Sequence, residues 1–144
     1  MTSVQMRGYT GNGVNASQND CAVMLVWDKM PNKALPAITD ILDSANARSM
    51  NKRENASRFV ILRRWDYVLT GKSDGSTVGG YVRSFDKYVR LPRDCVASCT
   101  AGDTTGVIAN RISGALYLVT VGVNAAGNTA ALLNATIRVN FEDI

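Results

Sequence analysis

The chain has 144 residues, 46% of them hydrophobic, and sixteen Lys and Arg against twelve Asp and Glu give a formal charge of +4. That length suits one domain with a real core, and the apolar share excludes a wholly disordered chain. There is no histidine, which removes the commonest general base, the Ser-His-Asp and Cys-His dyads and imidazole zinc sites, and three Cys cannot form a two-bridge framework.

Thr2 to Tyr9 alternates loosely and reads as a strand, followed by the turn-rich loop Gly11 to Asp20 (GNGVNASQND). Cys21 to Trp27 (CAVMLVW) is an unbroken apolar run of strand length, which predicts a strand buried on both faces. Pro36 to Ala45 is the one predicted helix: Ile38, Ile41, Leu42 and Ala45 recur at spacings of three and four behind a first-turn proline. Asn46 to Ser57 is a polar, basic loop. Arg58 to Leu69 (RFVILRRWDYVL) is the longest strand signal, and Thr70 to Gly80 is a hairpin-like connector. Tyr81 to Leu91 alternates with neither face cleanly apolar, so both faces of this strand are expected to meet something. Pro92 to Ser113 reads as a long loop with a short strand around Val96. Ala115 to Val123 and Ala131 to Phe141 are the closing strands. The last sets Leu133, Ala135, Ile137, Val139 and Phe141 against the polar Asn134, Thr136, Arg138 and Asn140. Six or seven strands, one helix and no βαβ alternation predict an all-β, antiparallel β-sandwich occupying residues 1–144 as one domain.

Fragments of catalytic motifs are incomplete. Thr70-Gly71-Lys72-Ser73 has the end of a phosphate-binding loop, but Asp66 stands where its first glycine belongs and Asp74-Gly75 replaces the following helix. A turn is the better reading. Cys95 and Cys99, with Cys21 distant, are too few ligands for a metal site and read as reduced thiols. The carboxylate pairs Asp40 and Asp43, and Glu142 and Asp143, read as solvated surface. The acceptor patterns at Asn15, Asn55 and Asn134 read as chance matches, since the first twenty residues show no signal-peptide pattern. No apolar run nears the roughly 20 residues a bilayer span requires. No enzyme activity, metal or cofactor is expected.

The basic residues carry more information. Arg48, Lys52, Arg53, Arg58, Arg63 and Arg64 lie within seventeen residues, opposed only by Glu54, and Arg83, Lys87, Arg90 and Arg93 follow. Trp65, Tyr67, Tyr81, Phe85 and Tyr88 interleave with them. Cations for phosphates and rings for stacking suit single-stranded nucleic acid; a solvated sheet face with core aromatics fits the same pattern.

The order of pieces is distinctive. Ser3-Val-Gln-Met-Arg-Gly is followed by Ala22-Val-Met-Leu-Val-Trp-Asp-Lys-Met-Pro, Pro36-Ala-Ile-Thr-Asp-Ile-Leu-Asp, Asn55-Ala-Ser-Arg-Phe-Val-Ile-Leu-Arg-Arg-Trp and Thr70-Gly71, with Ala135-Thr-Ile-Arg-Val-Asn-Phe at the end. This series resembles the coat proteins of geminiviruses and related circular single-stranded DNA viruses. More loosely, it is similar to the coat protein of satellite tobacco necrosis virus, which packages RNA. The resemblance implies a viral jelly roll of eight strands, B to I, in two sheets. Carried over, Thr2 to Tyr9 is C, Cys21 to Trp27 is D, the helix lies between D and E, Arg58 to Leu69 is E and Tyr81 to Leu91 is F. The region near Val96 is then G, Ala115 to Val123 is H and Ala131 to Phe141 is I. The family's strand B and Arg/Lys-rich arm are not found in this sequence.

The implied function is a non-enzymatic viral capsid protein that self-assembles into a small icosahedral shell around single-stranded DNA. The smallest such shell (T=1) is a homo-oligomer of about sixty copies, held by heterologous contacts. The implied place is the virion, with assembly in the host nucleus or cytoplasm and no membrane partner. Arg58, Arg63, Arg64, Lys87 and Arg90 are the candidate nucleic-acid-binding residues, although regular strand alternation puts Arg63 and Arg64 on opposite faces. The alternatives are a satellite-type coat protein packaging single-stranded RNA, or a non-viral β-sandwich carbohydrate-binding module with Trp65, Tyr67, Tyr81 and Tyr88 as an aromatic row.

Overall fold

The computed structural model describes residues 1–12, 18–70, 82–102, 105, 107–123 and 131–141. In chain order the elements are β1 (Ser3–Asn12), β2 (Gln18–Asp28), α1 (Ile38–Ile41), β3 (Phe59–Thr70), β4 (Val82–Arg90), β5 (Ser98–Cys99), β6 (Arg111–Ser113), β7 (Ala115–Gly122) and β8 (Ala131–Asn140). They form two antiparallel three-stranded sheets, β4-β1-β8 and β3-β2-β7, and a small β5-β6 ladder.

Strand alternation explains the sandwich. Val4 and Met6 of β1 and Phe85 and Val89 of β4 meet Leu25 and Trp27 of β2 between the sheets, with Leu62, Trp65, Leu118 and Leu133 packed around them. Residues 21–28 of β2 are all buried. Its odd side chains Cys21, Val23, Leu25 and Trp27 face the first sheet. Its even side chains Ala22, Met24 and Val26 pack against Ile41, Leu42 and Ala47 in a layer that covers the outside of the second sheet. A strand covered on both sides needs apolar residues at every position, which is the unbroken run read in the sequence.

The predicted helix is shorter than its spacing suggests. Only Ile38–Ile41 is helical; Leu42 turns extended (φ −115°, ψ 156°) and bridges Asn51. The Asp43 amide donates to the Met50 carbonyl at 3.0 Å and the Lys52 amide to Ile41 at 2.9 Å, so the chain doubles back as a strand-like hook. Ile38, Ile41 and Leu42 still reach the same apolar cluster, because one turn followed by extended chain also puts them on one side. In an exposed hydrogen bond, the Asp40 carboxylate caps the turn by accepting from the Ala37 amide at 2.9 Å.

Pairing also moves the strand letters by one place. A jelly roll is an antiparallel ribbon rolled into two sheets, its first strand paired with its last and its middle two with each other. Here β2–β3 is the innermost pair and β1–β4 the next, while rolling sets β7 beside β2 and β8 beside β1. The jelly-roll class therefore holds, but β1, β2, β3 and β4 are strands D, E, F and G rather than C to F, and β7 and β8 are H and I. The region near Val96 is not G: its strand, β5, pairs only with β6. The letters follow pairing, which the linear order of the strands does not fix. Among the described residues nothing fills the places of B and C, which leaves β8 and β7 as open edges.

Candidate nucleic-acid interface

Residues directly opposite in an antiparallel ladder point to the same face. On β4-β1-β8 the register therefore builds an outer face of rows: Arg90–Ser3–Asn140, Tyr88–Gln5–Arg138, Asp86–Arg7–Thr136 and Ser84–Tyr9–Asn134. The inner face carries Val89–Val4–Val139 and Phe85–Gly8–Ala135. Apart from Ser3, every side chain in those outer rows is exposed. Tyr88 is 67% and Tyr9 43% exposed, large rings left in solvent. Three arginines face one carboxylate, Asp86, among the described residues of this face. Arg7 donates from Nε and Nη2 to Asp86 Oδ2 at 3.0 and 2.6 Å. That ion pair lies in solvent, where such pairs contribute about 0–1 kcal/mol, so an incoming phosphate can compete for Arg7.

The five residues singled out from the sequence do not share a face. Arg58, just before β3, donates from Nε and Nη2 to the two oxygens of Asp28 at 3.0 and 2.9 Å, and lies 4.6 Å over the Phe59 ring. Asp28 is fully buried and also accepts from the Met30 amide at 3.0 Å. The hydrogen bond to Asp28 is the main cause that raises the Arg58 pKa. This guanidinium ties the end of β2 to the start of β3. Arg64 donates to the carbonyls of Ser49 (2.8 Å) and Ala47, and to Asp66 Oδ1 at 2.9 Å, and so anchors the covering loop to β3.

Arg63 is exposed and bonds only the neighbouring Leu62 carbonyl. A register shift makes Leu62 an extra residue opposite Leu25 and Val26. Leu62 packs between the sheets, and so do Trp65 and Tyr67, so the alternation changes phase at the bulge. The rule that Arg63 and Arg64 take opposite faces assumed a regular strand. Lys87 is half-buried and belongs to the inner row Lys87–Met6–Ile137, which leaves Arg90 on the basic outer face.

That face was missed because Arg7 and Arg138 lie at opposite ends of the chain, beyond the reach of a search for local charge clusters. One signal was present: the polar side of the Ala131 to Phe141 alternation already carried Arg138. Of the aromatics thought available for stacking, Trp65, Tyr67 and Phe85 pack in the core, with Tyr67 and Phe85 stacked at 6.5 Å between centroids. Burial raises the Tyr67 pKa. Tyr81 and the Gly71-Lys72-Ser73 motif lie outside the described residues.

No group of three or more Cys, Asp or Glu capable of holding a metal occurs among the described residues. The three cysteines are free. Cys21 sits between the Thr10 and Thr120 hydroxyls at 3.3 and 3.2 Å, burial pushes the Cys95 thiol pKa up, and Cys99 accepts from Arg111 at 2.8 Å. None of their partners is a general base. No helix among the described residues is long and apolar enough to cross a membrane.

The sequence is similar to known proteins. The capsid protein of Miscanthus streak virus (isolate 91) is 33% identical over 142 aligned residues, which cover 82% of this chain and 53% of that protein. The chain thus spans about half the length of the curated relative it matches. The model of the geminivirus coat protein/nuclear export factor BR1 family matches residues 3–144, from the first residue of β1 to the last of the chain. With the motif order, the sandwich and this match in agreement, the chain belongs to the geminivirus coat protein/nuclear export factor BR1 family.

Proposed function

We propose that the chain is the jelly-roll part of a viral capsid protein that self-assembles around a single-stranded DNA genome and works in the virion. The carrying observation is the family match over residues 3–144. The role is structural: the chemistry is contact between copies and with the genome, not turnover. A T=1 shell needs about sixty copies joined by heterologous contacts. Assembly takes place in the host nucleus or cytoplasm, without a membrane.

The open edges support this reading. Along the inner face of β8, Ile137 and Val139 are exposed although they belong to the core row, as is Phe141 just beyond it. Unpaired edges beside uncovered apolar side chains are seats for further strands. In the eight-strand ribbon these strands are B and C. Of the candidate genome contacts, Arg90 and Arg63 present exposed guanidinium groups, whereas Lys87 is half-buried on the opposite, inner face of the same edge strand. Arg58 and Arg64 have their first duty inside the fold.

Electron microscopy of the purified coat protein, with nuclease digestion of its contents, tests the proposal. Uniform small shells holding nucleic acid that only DNase degrades are expected. A protein that stays monomeric under all assembly conditions overturns the proposal. Contents degraded only by RNase replace the DNA genome with RNA.

A further inference from the structure

We infer that the outer face of β4-β1-β8 is the bed on which the single strand lies, with Tyr88 and Tyr9 as stacking platforms and Arg90, Arg7 and Arg138 as phosphate contacts. The inference deepens the coat-protein reading and rests on it for the identity of the genome. The face is positively charged. Three arginines against Asp86 give this face a net positive balance, concentrated on neighbouring strands. A polyanion is the complementary partner. The rings point to the same partner. A tyrosine on a merely solvated face has no need to stand 67% exposed beside arginines, whereas a base needs an open ring face to stack on.

The face is also rigid. β1 is hydrogen-bonded to a strand on each side, so Gln5, Arg7 and Tyr9 are held in fixed register with β4 and β8. Strands spaced about 4.8 Å apart, with same-face rows roughly 7 Å apart, set cations and rings at fixed intervals across the sheet. Little ordering is then left to binding. The bases must be unstacked to meet the tyrosines, so a single strand is favoured over a duplex. Gln5 and Asn134 add amides beside the rings that can meet base edges without fixing a sequence.

Asp86 sets the strength of this bed. It sits in the middle row with both donated bonds of Arg7 on one oxygen, so a phosphate must displace it to reach that arginine. On the other sheet, the outer side chains of the central strand, Ala22, Met24 and Val26, lie under Ile41, Leu42 and Ala47.

The test uses coat protein freed of nucleic acid at high salt, a fluorescein-labelled oligothymidylate and fluorescence anisotropy. Tyr88→Ala and Tyr9→Ala are each expected to weaken binding about tenfold, the lower part of the range for losing one base–ring stack. Arg138→Gln should reduce the slope of log affinity against log salt by about 0.7, one phosphate contact with a single strand. Asp86→Asn should tighten binding. Arg53→Ala, an exposed change beside the covering layer, should alter neither affinity nor slope. Each variant's melting curve confirms that it is folded. The inference is overturned if the Tyr88 and Arg138 variants bind like the parent, or if Arg53→Ala costs as much. Failure to form shells sinks the coat-protein reading instead, and the anisotropy series reads the face independently of it.

Discussion

β1 and β2 occupy equivalent places, each the central strand of a three-stranded sheet, yet their outer sides have opposite characters. The outer side of β2 carries Ala22, Met24 and Val26 under the hook that follows α1. The outer side of β1 carries Gln5, Arg7 and Tyr9 in the open. The difference teaches how this small sandwich divides its labour. One sheet is locked between two apolar contacts. The other is covered on one side only, which frees its second side for charge and aromatic surface. Arginines follow the same division, since Arg64 holds loop carbonyls on the covered sheet whereas Arg7, Arg90 and Arg138 stand on the bare one.

The sharpest way to break this comparison is to place the same charge on both central strands. Met24→Asp buries a carboxylate where the side chain is fully enclosed, and is expected to cost more than about 4 kcal/mol or abolish folding. Gln5→Asp puts it in solvent and is expected to change stability by about 0.5 kcal/mol or less. Urea unfolding of the two variants decides the matter, and equal costs would erase the distinction between the faces.

Next in size is Asp28→Ala. It leaves Arg58 without its carboxylate at the end of the covered strand β2. Breaking a buried pair from one side costs about 3–5 kcal/mol, and the partial exposure of Arg58, 23% of its side chain, places this one at the low end. If the melting temperature were unchanged, Arg58 would be available to a genome after all.

A smaller effect reports on three acids partly withdrawn from solvent by folding. Burial raises the pKa values of Cys95, Tyr67 and Tyr117 above their ordinary values of 9.0, 10.0 and 10.0. In the folded chain these groups keep their protons at a pH where the unfolded chain has begun to lose them. Their contribution is complete below pH 9 and declines as pH rises through the folded values, so stability should fall progressively on the alkaline side. Denaturant midpoints measured from pH 8 upward check the sign. A midpoint that rose above pH 9 would contradict the burial of these groups.

The strands were legible because period-two alternation and the run Cys21 to Trp27 are local signals of pairing and burial. The helix is shorter than its pattern implies because the spacing of Ile38, Ile41 and Leu42 is satisfied equally by one turn and a hook, and the bridge from Leu42 to Asn51 that stops the helix is not a local signal. The lettering slipped because which strand pairs with which lies in the register, not in the order. The candidate site was the least legible part. Arg58, Arg63 and Arg64 are close in sequence, but a buried aspartate, a bulge and two loop carbonyls give them different tasks. The face that does gather arginines draws them from β1, β4 and β8, and only the fold brings those three together.

The smallest predicted effect is the most exacting check on the two faces. Arg64→Ala and Arg7→Ala remove the same side chain, each bonded to one aspartate. Arg64 also satisfies the carbonyls of Ala47 and Ser49, and its side chain is largely enclosed, so its loss should cost about 1–3 kcal/mol. Arg7 pairs with Asp86 in solvent, screened by salt, and its loss should cost about 0–1 kcal/mol. In a urea series, Arg7→Ala should therefore melt almost with the parent while binding the oligothymidylate probe more weakly, and Arg64→Ala should show the reverse. A large stability loss from Arg7→Ala would make the bare face part of the structural frame. Its arginines would then have to be explained by the fold before any genome.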